Sequence, residues 1–250
     1  MNIIWQIEPR DIEQVKDFYD LYQKSPFVQK RIERNVESSN LKVSKDDFFK
    51  AMISCLLTTQ QRSGPNSAVT KFINTEPFPL NYQICISQTN LKIYAKELIS
   101  NFGGLRRYNK IVDELVTNLN LLEENLWGEV FEIINGLQSI KSVQKERKAA
   151  DFINDKLKGF GPKQSRNLLQ SLGLTKYEIP IDSRIAKWLN KFNFPIRLSA
   201  GALSDRNYYN FVSDGFQKLC EECGIIPCVL DAVIFASFDG DNWTEKNVVW

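Results

Sequence analysis

The sequence predicts an all-α protein, folded as one domain or as two close lobes. Apolar residues recur at helical spacing along most of the chain, as in Ile12, Val15, Phe18, Tyr19 and Tyr22. Helix-start signals precede several of these stretches, and glycine or proline follows several of them. A chain of 250 residues is also long enough to bury a sizeable core.

In chain order, these patterns predict ten helices. The helix after Ser44 has the clearest start, because Asp47 stands three residues later, as in a capping box. Gly173 and Pro195 mark the ends of two later helices. The predicted helices are approximately 11–22, 45–57, 91–100, 105–119, 123–136, 143–157, 163–172, 183–192, 205–220 and 228–238, with a loop at 77–79.

The composition is ordinary for a globular protein and only mildly basic. Hydrophobic residues make up 43% of the chain and charged residues 25%, and the formal net charge is +2. The basic residues are concentrated, since residues 141–166 hold eight Lys or Arg against three Asp or Glu. This excess fits either a solvated helix face or the electrostatic footprint of a DNA-binding surface.

The sequence predicts neither a membrane span nor a secretion signal. We find no run of about 18 apolar residues. The first thirteen residues are too short and too acidic for a signal peptide. We therefore expect an intracellular protein, cytoplasmic or nucleoid-associated in a prokaryote and nuclear in a eukaryote, with no membrane partner.

The absence of histidine excludes a Ser-His-Asp triad, a Cys-His pair and any histidine metal site. Acid–base chemistry must then fall to carboxylates, Lys, Tyr or Cys. The five cysteines are odd in number and scattered, which favours reduced thiols over a disulfide framework. Three of them lie close in sequence, Cys220, Cys223 and Cys228. We expect buried thiols there, with an iron–sulfur cluster or zinc as the alternative.

The segment from residue 157 to residue 184 has the most specific pattern in the chain. Gly159 and Gly161 suit a tight turn, and Pro162 suits the first turn of the following helix. Backbone N–H groups at the start of that helix form a natural seat for a phosphate. The turn therefore predicts a contact with a phosphorylated partner.

A lysine and an acid follow that turn, Lys163 and Asp182, nineteen residues apart. Pro180 excludes a helix immediately before the acid. The segments L-K-G-F-G-P-K and I-P-I-D resemble the patterns L-P-G-V-G-x-K and V-P-V-D of the helix-hairpin-helix, Gly/Pro, Asp superfamily of DNA base-excision glycosylases. The resemblance implies an all-α, two-lobed fold with the active site in the cleft between the lobes.

The same resemblance implies a chemistry for both residues. Lys163 would attack C1′ of the damaged nucleotide, displace the base and form a Schiff base, and β-elimination would then nick the strand. Asp182 would stabilise the positive charge on the sugar. The lysine implies a bifunctional glycosylase and AP lyase. Taken alone, Lys163 could also be a surface lysine that contacts a phosphate.

Residues 57–65 end an apolar helix in Thr-Thr-Gln-Gln and resemble a second family signature. There an amide residue enters the space left by the extruded nucleotide, which implies Gln60 as the wedge and its neighbour Gln61 as a base contact. An amide can donate to and accept from the orphaned base. The alternative is a polar helix end before a Gly-Pro stop.

Asp231 and Phe235 lie four residues apart on one predicted helix and therefore share a face. The ring could stack on an extruded purine while the acid accepts from guanine-type N–H groups. The segment resembles 8-oxoguanine glycosylases, above all an archaeal branch with Asp followed four residues later by an aromatic. The alternative is a core phenylalanine beside a surface acid.

Two departures separate the chain from the eukaryotic 8-oxoguanine enzymes. Asn167 replaces a cysteine that stacks on the base, and the first 43 residues are too few for their N-terminal β domain. The roles of Trp243 and Trp250 stay open between pocket lining and core packing.

The resemblance makes damaged double-stranded DNA the expected partner of a monomeric enzyme. We expect no cofactor. The resemblance leaves open a structural monovalent cation at the hairpin. The expected DNA contacts are Gln60, Gly159, Gly161, Gln164, Arg166 and Arg184.

We expect a glycosylase domain at 44–240 with its hairpin at 157–163, an N-terminal segment at 1–43 that packs on its lobes, and a tail at 241–250. The expected function is base-excision repair of 8-oxoguanine. One alternative is a glycosylase for another oxidised or alkylated base. The other is a non-catalytic helix-hairpin-helix module that only binds DNA.

Overall fold

Helices provide all of the regular secondary structure in the residues described by the computed structural model, which are 4–38, 41–61, 63–139, 141–238 and 243–244. This confirms the all-α prediction. The α-helices of that part of the chain are α1 (Pro9–Tyr22), α2 (Pro26–Arg31), α3 (Lys45–Leu57), α4 (Ala68–Ile73), α5 (Tyr82–Ser87), α6 (Leu91–Phe102), α7 (Tyr108–Leu121), α8 (Trp127–Ser139), α9 (Val143–Lys156), α10 (Pro162–Ser171), α11 (Ser183–Lys191), α12 (Arg206–Cys223) and α13 (Pro227–Ser237).

Irregular helical turns extend several of these elements. A π-helical segment, Ile32–Glu37, continues α2, and a second, Leu122–Leu126, joins α7 to α8. The two helices predicted at 105–119 and 123–136 are therefore one continuous rod with a π-helical turn. A 3₁₀ turn, Ala202–Ser204, precedes α12.

Local capping explains where the main helices begin. At α3, Asp47 N–H donates to the Ser44 hydroxyl at 3.1 Å, and Ser44 N–H donates to the Asp47 carboxylate at 2.9 Å. This is the capping box predicted from the sequence. Helix α12 runs three residues further than predicted and ends where Gly224 adopts φ +69°, a left-handed conformation that glycine takes readily.

Three short helices were not predicted: α2, α4 and α5. Each has six residues, which is less than two turns and too short to show a helical period.

The buried side chains of the described residues divide into two hydrophobic cores, which gives the protein its two lobes. Helices α3 to α10 enclose the first core. Helices α1, α2, α11, α12 and α13 enclose the second. The N-terminal segment therefore completes the lobe built by the C-terminal helices, and the chain crosses between the lobes after α2 and after α10.

The crossing after α10 is built from the segment that leads to Asp182. Ile179 and Ile181 are buried in the second core, whereas Leu172 and Leu174 belong to the first. A cleft lies along this crossing, and both predicted catalytic residues border it. Within the described residues, no helix has the length and apolarity needed to span a bilayer.

Candidate active site in the cleft

The hairpin between α9 and α10 requires glycine at one position. Gly159 has φ +85°, and a Cβ there would lie 2.6 Å from Glu114 Cδ and 2.9 Å from Leu56 Cδ2. Asn118 of α7 holds the turn through two hydrogen bonds, since its amide donates to Lys158 O at 2.9 Å and accepts from Lys158 N–H at 2.7 Å. The hairpin is thus held rigidly against the first lobe.

Helix α10 begins directly after this turn and places Lys163 in its first turn. Gly161 is the N-cap residue and Pro162 the first helical residue. Lys163 Nζ donates to Gln164 Oε1 at 3.1 Å. The Gln164 amide nitrogen in turn donates to Cys55 O and to the Thr59 hydroxyl, so the end of α3 supports the lysine.

Asn167, one turn after the lysine, also faces α3. Its amide donates to Cys55 Sγ at 3.3 Å. Burial raises the pKa of the Cys55 thiol to about 12, more than Lys163 and Asn167 lower it. Cys55 is therefore a neutral thiol in the pocket wall, not a thiolate nucleophile.

Asp182 is the N-cap residue of α11. Its Oδ1 accepts from Arg184 N–H at 2.8 Å and from Ile185 N–H at 3.0 Å. Tyr209 of α12 holds the approach to this cap, because its hydroxyl accepts from Ile181 N–H at 2.5 Å and donates to Ile179 O at 2.9 Å. These hydrogen bonds of Tyr209 fix the backbone before and after Pro180. The Asp182 carboxylate is therefore oriented both by its cap hydrogen bonds in α11 and by Tyr209 of α12.

Asp231 and Phe235 face the interior from α13. Asp231 is only 5% exposed and accepts from Gln170 Nε2 at 2.6 Å. Burial raises its pKa to about 6, and nearby Arg31 opposes that rise. The acid is thus a buried carboxylate held by an amide and a cation.

The Phe235 ring is covered on more than one side. Phe27 stacks on it with centroids 4.8 Å apart and an interplanar angle of 17°. The Arg184 guanidinium lies 3.9 Å from the ring centroid, and Arg184 Nη1 is 3.6 Å from Asp182 Oδ2. Trp243 packs against both rings and is 3% exposed, so it belongs to the pocket wall and to the second core. Trp250 lies outside the described residues.

These side chains border two connected spaces. The first, which we call the inner pocket, is lined by Lys163, Asp182, Asp231 and Phe235, among others. The second is an open groove along the cleft, lined by Gln60, the hairpin glycines and Arg184. Lys163 and Asp182 border both spaces, and the two residues predicted to do the chemistry therefore stand at their junction.

The two predicted glutamines, Gln60 and Gln61, lie in the turn after α3 and border the groove. Gln60 is exposed and adopts φ +56°, a left-handed turn. Gln61 lines the groove and not the inner pocket. Its amide oxygen accepts from Arg106 N–H at 2.9 Å and its amide nitrogen donates to Leu57 O. Gln61 therefore braces the loop that presents Gln60, and Arg107 adds a contact to Thr59 O at 3.1 Å.

Arg166 was predicted to contact DNA, and the structure contradicts this. Its side chain is 0% exposed and forms an ion pair with the equally buried Glu178. Arg147 joins the same carboxylate at 2.7 Å, and the Arg166 guanidinium lies 4.6 Å from the Tyr209 ring centroid. Arg166 is a structural residue behind the site.

Gln164, also predicted as a DNA contact, borders the groove, but its side-chain amide is used inside the protein. The residue is 7% exposed, and its amide is committed to α3 and to Lys163. A DNA contact by Gln164 would therefore fall to its backbone N–H in the first turn of α10, and it stays a prediction.

The five cysteines are buried and free. Burial raises the pKa values of Cys220 and Cys228. Among the residues that the structure describes, no group of three His, Cys, Asp or Glu is arranged to hold a metal ion.

Three positioning residues were missed by sequence reasoning: Asn118, Gln170 and Tyr209. Each acts on a residue distant in sequence, so no local pattern marks Asn118 or Tyr209. Gln170 did carry a signal, because it stands seven residues after Lys163 and therefore on the same face of α10.

Comparison with known proteins finds similarity to 8-oxoguanine DNA glycosylases. No protein-family model matches the chain. A curated relative, the 8-oxoguanine DNA glycosylase/AP lyase of Thermoplasma volcanium, is 26% identical over 104 residues, which is 42% of this chain. The matched segment spans 48% of that relative, about half its length.

Solved structures match over nearly the whole chain. The Methanocaldococcus jannaschii 8-oxoguanine glycosylase/lyase, in complex with a 15mer DNA containing 8-oxoguanine, superposes with a TM-score of 0.68, at 19% identity over 93% of this chain and 99% of that one. The Thermotoga maritima 8-oxoguanine DNA glycosylase also gives a TM-score of 0.68, at 14% identity over 92% of this chain and 96% of that one. The chain has the fold of these 8-oxoguanine glycosylases. The all-α, two-lobed prediction is thereby confirmed.

Proposed function

We propose that the protein is a base-excision-repair DNA glycosylase with AP lyase activity, which removes 8-oxoguanine from double-stranded DNA. The observation that carries the proposal is the position of Lys163 and Asp182 at the junction of an open groove and a smaller inner pocket. In this proposal the groove takes the duplex and the inner pocket takes the single extruded base. The similarity to the Thermoplasma volcanium enzyme supports the same assignment.

The groove supplies the contacts that a DNA backbone needs. Its wall includes the cations Arg106, Arg184 and Lys187 and the hairpin glycines. The hairpin directs the N-terminus of α10 at the groove, which favours a phosphate. The exposed Gln60 turn also borders this groove and fills the space left by the extruded base.

The chemistry uses the lysine as a nucleophile. Lys163 Nζ attacks C1′, and the bond from C1′ to the base nitrogen breaks, so the base leaves with the bonding electrons and takes up a proton. The sugar ring opens to a Schiff base between Nζ and C1′. Loss of a C2′ proton then breaks the C3′–O bond and nicks the strand.

Two neighbours prepare these steps. The Asp182 side chain stabilises the positive charge that develops on the sugar, and its cap hydrogen bonds keep it oriented before the substrate arrives. Gln164 Oε1 accepts from Nζ and aims the amine at the junction of groove and pocket. Preorganisation of this kind lowers the barrier without cost at the moment of reaction.

The base is read at the far end of the pocket. The Asp231 carboxylate accepts from N–H donors on the purine edge, while Phe235 offers an aromatic face. The Arg184 guanidinium now lies against that ring. Stacking of the base on that side of Phe235 therefore requires Arg184 to move toward the groove, where it can meet a phosphate.

A monovalent cation at the hairpin forms a smaller part of the proposal. Turn carbonyls are suitable ligands, and Lys158 O accepts a hydrogen bond from the Asn118 amide. Its second lone pair can serve such an ion, whereas Gly161 O already accepts from both Ser165 N–H and Ser165 Oγ. The test is DNA affinity in Na⁺ or K⁺ against a bulky organic cation at equal ionic strength.

Single-turnover excision from a panel of duplexes tests the proposed function. Each duplex carries one 8-oxoguanine, one oxidised pyrimidine or one alkylated adenine. We expect a preference for 8-oxoguanine of at least about a hundredfold, since a site built for specific N–H donors rejects bases without them. Asp231→Ala should remove that preference. A faster reaction on the pyrimidine lesion would contradict the assignment.

A further inference from the structure

Gln170 lines the inner pocket on the same helix face as the proposed nucleophile. Lys163, Asn167 and Gln170 follow one another at helical spacing and all border that pocket. Seven residues of helix correspond to a rise of about 10 Å. The face therefore runs from the reacting sugar to the depth where the base edge is read.

The Gln170 side chain is fixed at one end only. The residue is 1% exposed. Its Nε2 donates to Asp231 Oδ2 at 2.6 Å, whereas its Oε1 has no hydrogen-bond partner within the described part of the chain. Its backbone carbonyl accepts from Asn35 Nδ2 at 3.0 Å and from Arg31 Nη1 at 3.4 Å, so the residue cannot easily shift.

An unpaired, buried carbonyl oxygen is costly and uncommon in folded proteins. The side chain is held in this orientation, because its Nε2 is bonded to Asp231 and its backbone carbonyl to Asn35. The most economical explanation is that Oε1 is kept for a donor on the substrate.

We propose that Gln170 is a base-specificity residue, which fixes Asp231 through Nε2 and accepts from the 2-amino group of the extruded purine through Oε1. This rests on the proposed function. Asp231, the charged acceptor, then takes the more acidic donor, N1–H. The ligand class is a purine with two adjacent N–H donors on one edge, as in guanine and its oxidised forms.

The two acceptors, the Asp231 carboxylate and Gln170 Oε1, disfavour bases that lack either of the two N–H donors. Adenine presents an acceptor at N1, which would meet the Asp231 carboxylate directly. Hypoxanthine-type bases retain N1–H but lack the 2-amino group, so Oε1 would stay unpaired. The pair reads the guanine edge, and it does not report whether C8 is oxidised.

The test compares two lesions that differ only in the 2-amino group, 8-oxoguanine and 8-oxohypoxanthine, in otherwise identical duplexes. We expect wild type to excise 8-oxoguanine about tenfold to a hundredfold faster in single turnover. Gln170→Met should reduce that ratio to within about threefold, mainly by slowing 8-oxoguanine excision. The same change at Gln88, whose amide donates to Ile84 O and which borders neither the groove nor the inner pocket, should keep the wild-type ratio.

The outcomes of this test distinguish failure of the Gln170 inference from failure of the proposed function. Wild type that excises 8-oxoguanine and 8-oxohypoxanthine at equal rates would overturn the Gln170 inference and leave the proposed function standing. Wild type that excises neither would overturn both. If Gln170→Met lost both activities equally, together with borohydride trapping on a pre-formed abasic site, the residue would be structural and the inference wrong.

Discussion

The Asp231 carboxylate is buried, and burial disfavours its negatively charged form. Burial raises its pKa to about 6, an effect that Arg31 opposes and Asp182 reinforces, while Gln170 and Lys163 favour the ionised form. Only the ionised carboxylate accepts through both oxygens, so base recognition should depend on pH. Recognition should be complete above that pKa and should be lost as pH falls through it.

We therefore expect binding of Lys163→Gln to lose its preference for an 8-oxoguanine duplex over an 8-oxoadenine duplex, whose N1 is an acceptor, in acid. At pH 5, about one unit below the pKa, the preference should be about tenfold weaker than at pH 7.5. The lysine substitution removes the nucleophile, so binding is measured without reaction. Fluorescence anisotropy measures both affinities, and Asp231→Asn should show no such pH dependence. An unchanged preference in Lys163→Gln would contradict the role of Asp231.

Gly159 is constrained more tightly than its neighbour Gly161. A side chain at Gly159 would meet Glu114 and Leu56 and would require a left-handed backbone, whereas a Cβ at Gly161 meets nothing within 4 Å. We expect Gly159→Ala to lower the free energy of unfolding by about 1–3 kcal/mol. Gly161→Ala is the matched control and should cost much less. Urea unfolding measures both, and equal losses would show that the hairpin does not need this turn.

At the scale of elements, Tyr209 joins α12 to the strand-like segment before Asp182. Its hydroxyl satisfies one backbone group on each side of Pro180. Tyr209→Phe leaves both groups buried and unpaired, at a cost of about 1–3 kcal/mol each. The carboxylate would then be less well oriented.

We expect Tyr209→Phe to reduce the single-turnover rate of excision about tenfold or more, with a smaller effect on DNA affinity. Tyr208→Phe on the same helix is the control, since Tyr208 hydroxyl makes only a long, exposed contact of 3.4 Å to Arg197 O. The rate of the control should match wild type. A Tyr209→Phe enzyme with full rate and weak binding would place the role of Tyr209 in DNA binding instead.

Much of this element-scale organisation was predictable. The α3 capping box, the hairpin glycines and the spacing of Lys163 and Asp182 are local signals, and the long helices follow from apolar periodicity. The inward orientation of the Arg166 and Gln164 side chains was not predictable. Both stand beside the nucleophile on a basic stretch, and only the packing of α10 against α3 and against the Glu178 segment turns them inward.

At the scale of the whole molecule, DNA affinity should depend on a few groove cations and not on net charge. Lys187 is exposed and lines the groove, whereas Lys218 lies on α12 and pairs with Glu221 and Glu222. Each phosphate contact releases counterions, so its loss changes the salt dependence of binding.

We expect Lys187→Ala to reduce the slope of log affinity against log salt concentration by about 1. Lys218→Ala should leave the slope unchanged. Binding titrations between 50 and 200 mM salt, the range over which such contacts are strongly felt, measure both slopes. Equal slopes for wild type and Lys187→Ala would mean that the duplex does not follow this groove.

The two-lobed architecture also explains why the pocket could be only partly assembled from the sequence. Lys163 and Asp182 come from one continuous stretch, but Phe27, Arg31 and Asp231 reach the pocket from opposite ends of the chain. Their meeting depends on α1 and α2 completing the second core, which no local pattern reveals.

Borohydride trapping on a duplex with one 8-oxoguanine tests the central claim most directly. Wild type should form a covalent protein–DNA adduct, and Lys163→Gln should form none while still binding the duplex. That result would establish the lysine chemistry and the lesion together. An adduct of equal yield in Lys163→Gln would contradict the assignment of the nucleophile, and bound DNA without any adduct in wild type would contradict the enzyme itself.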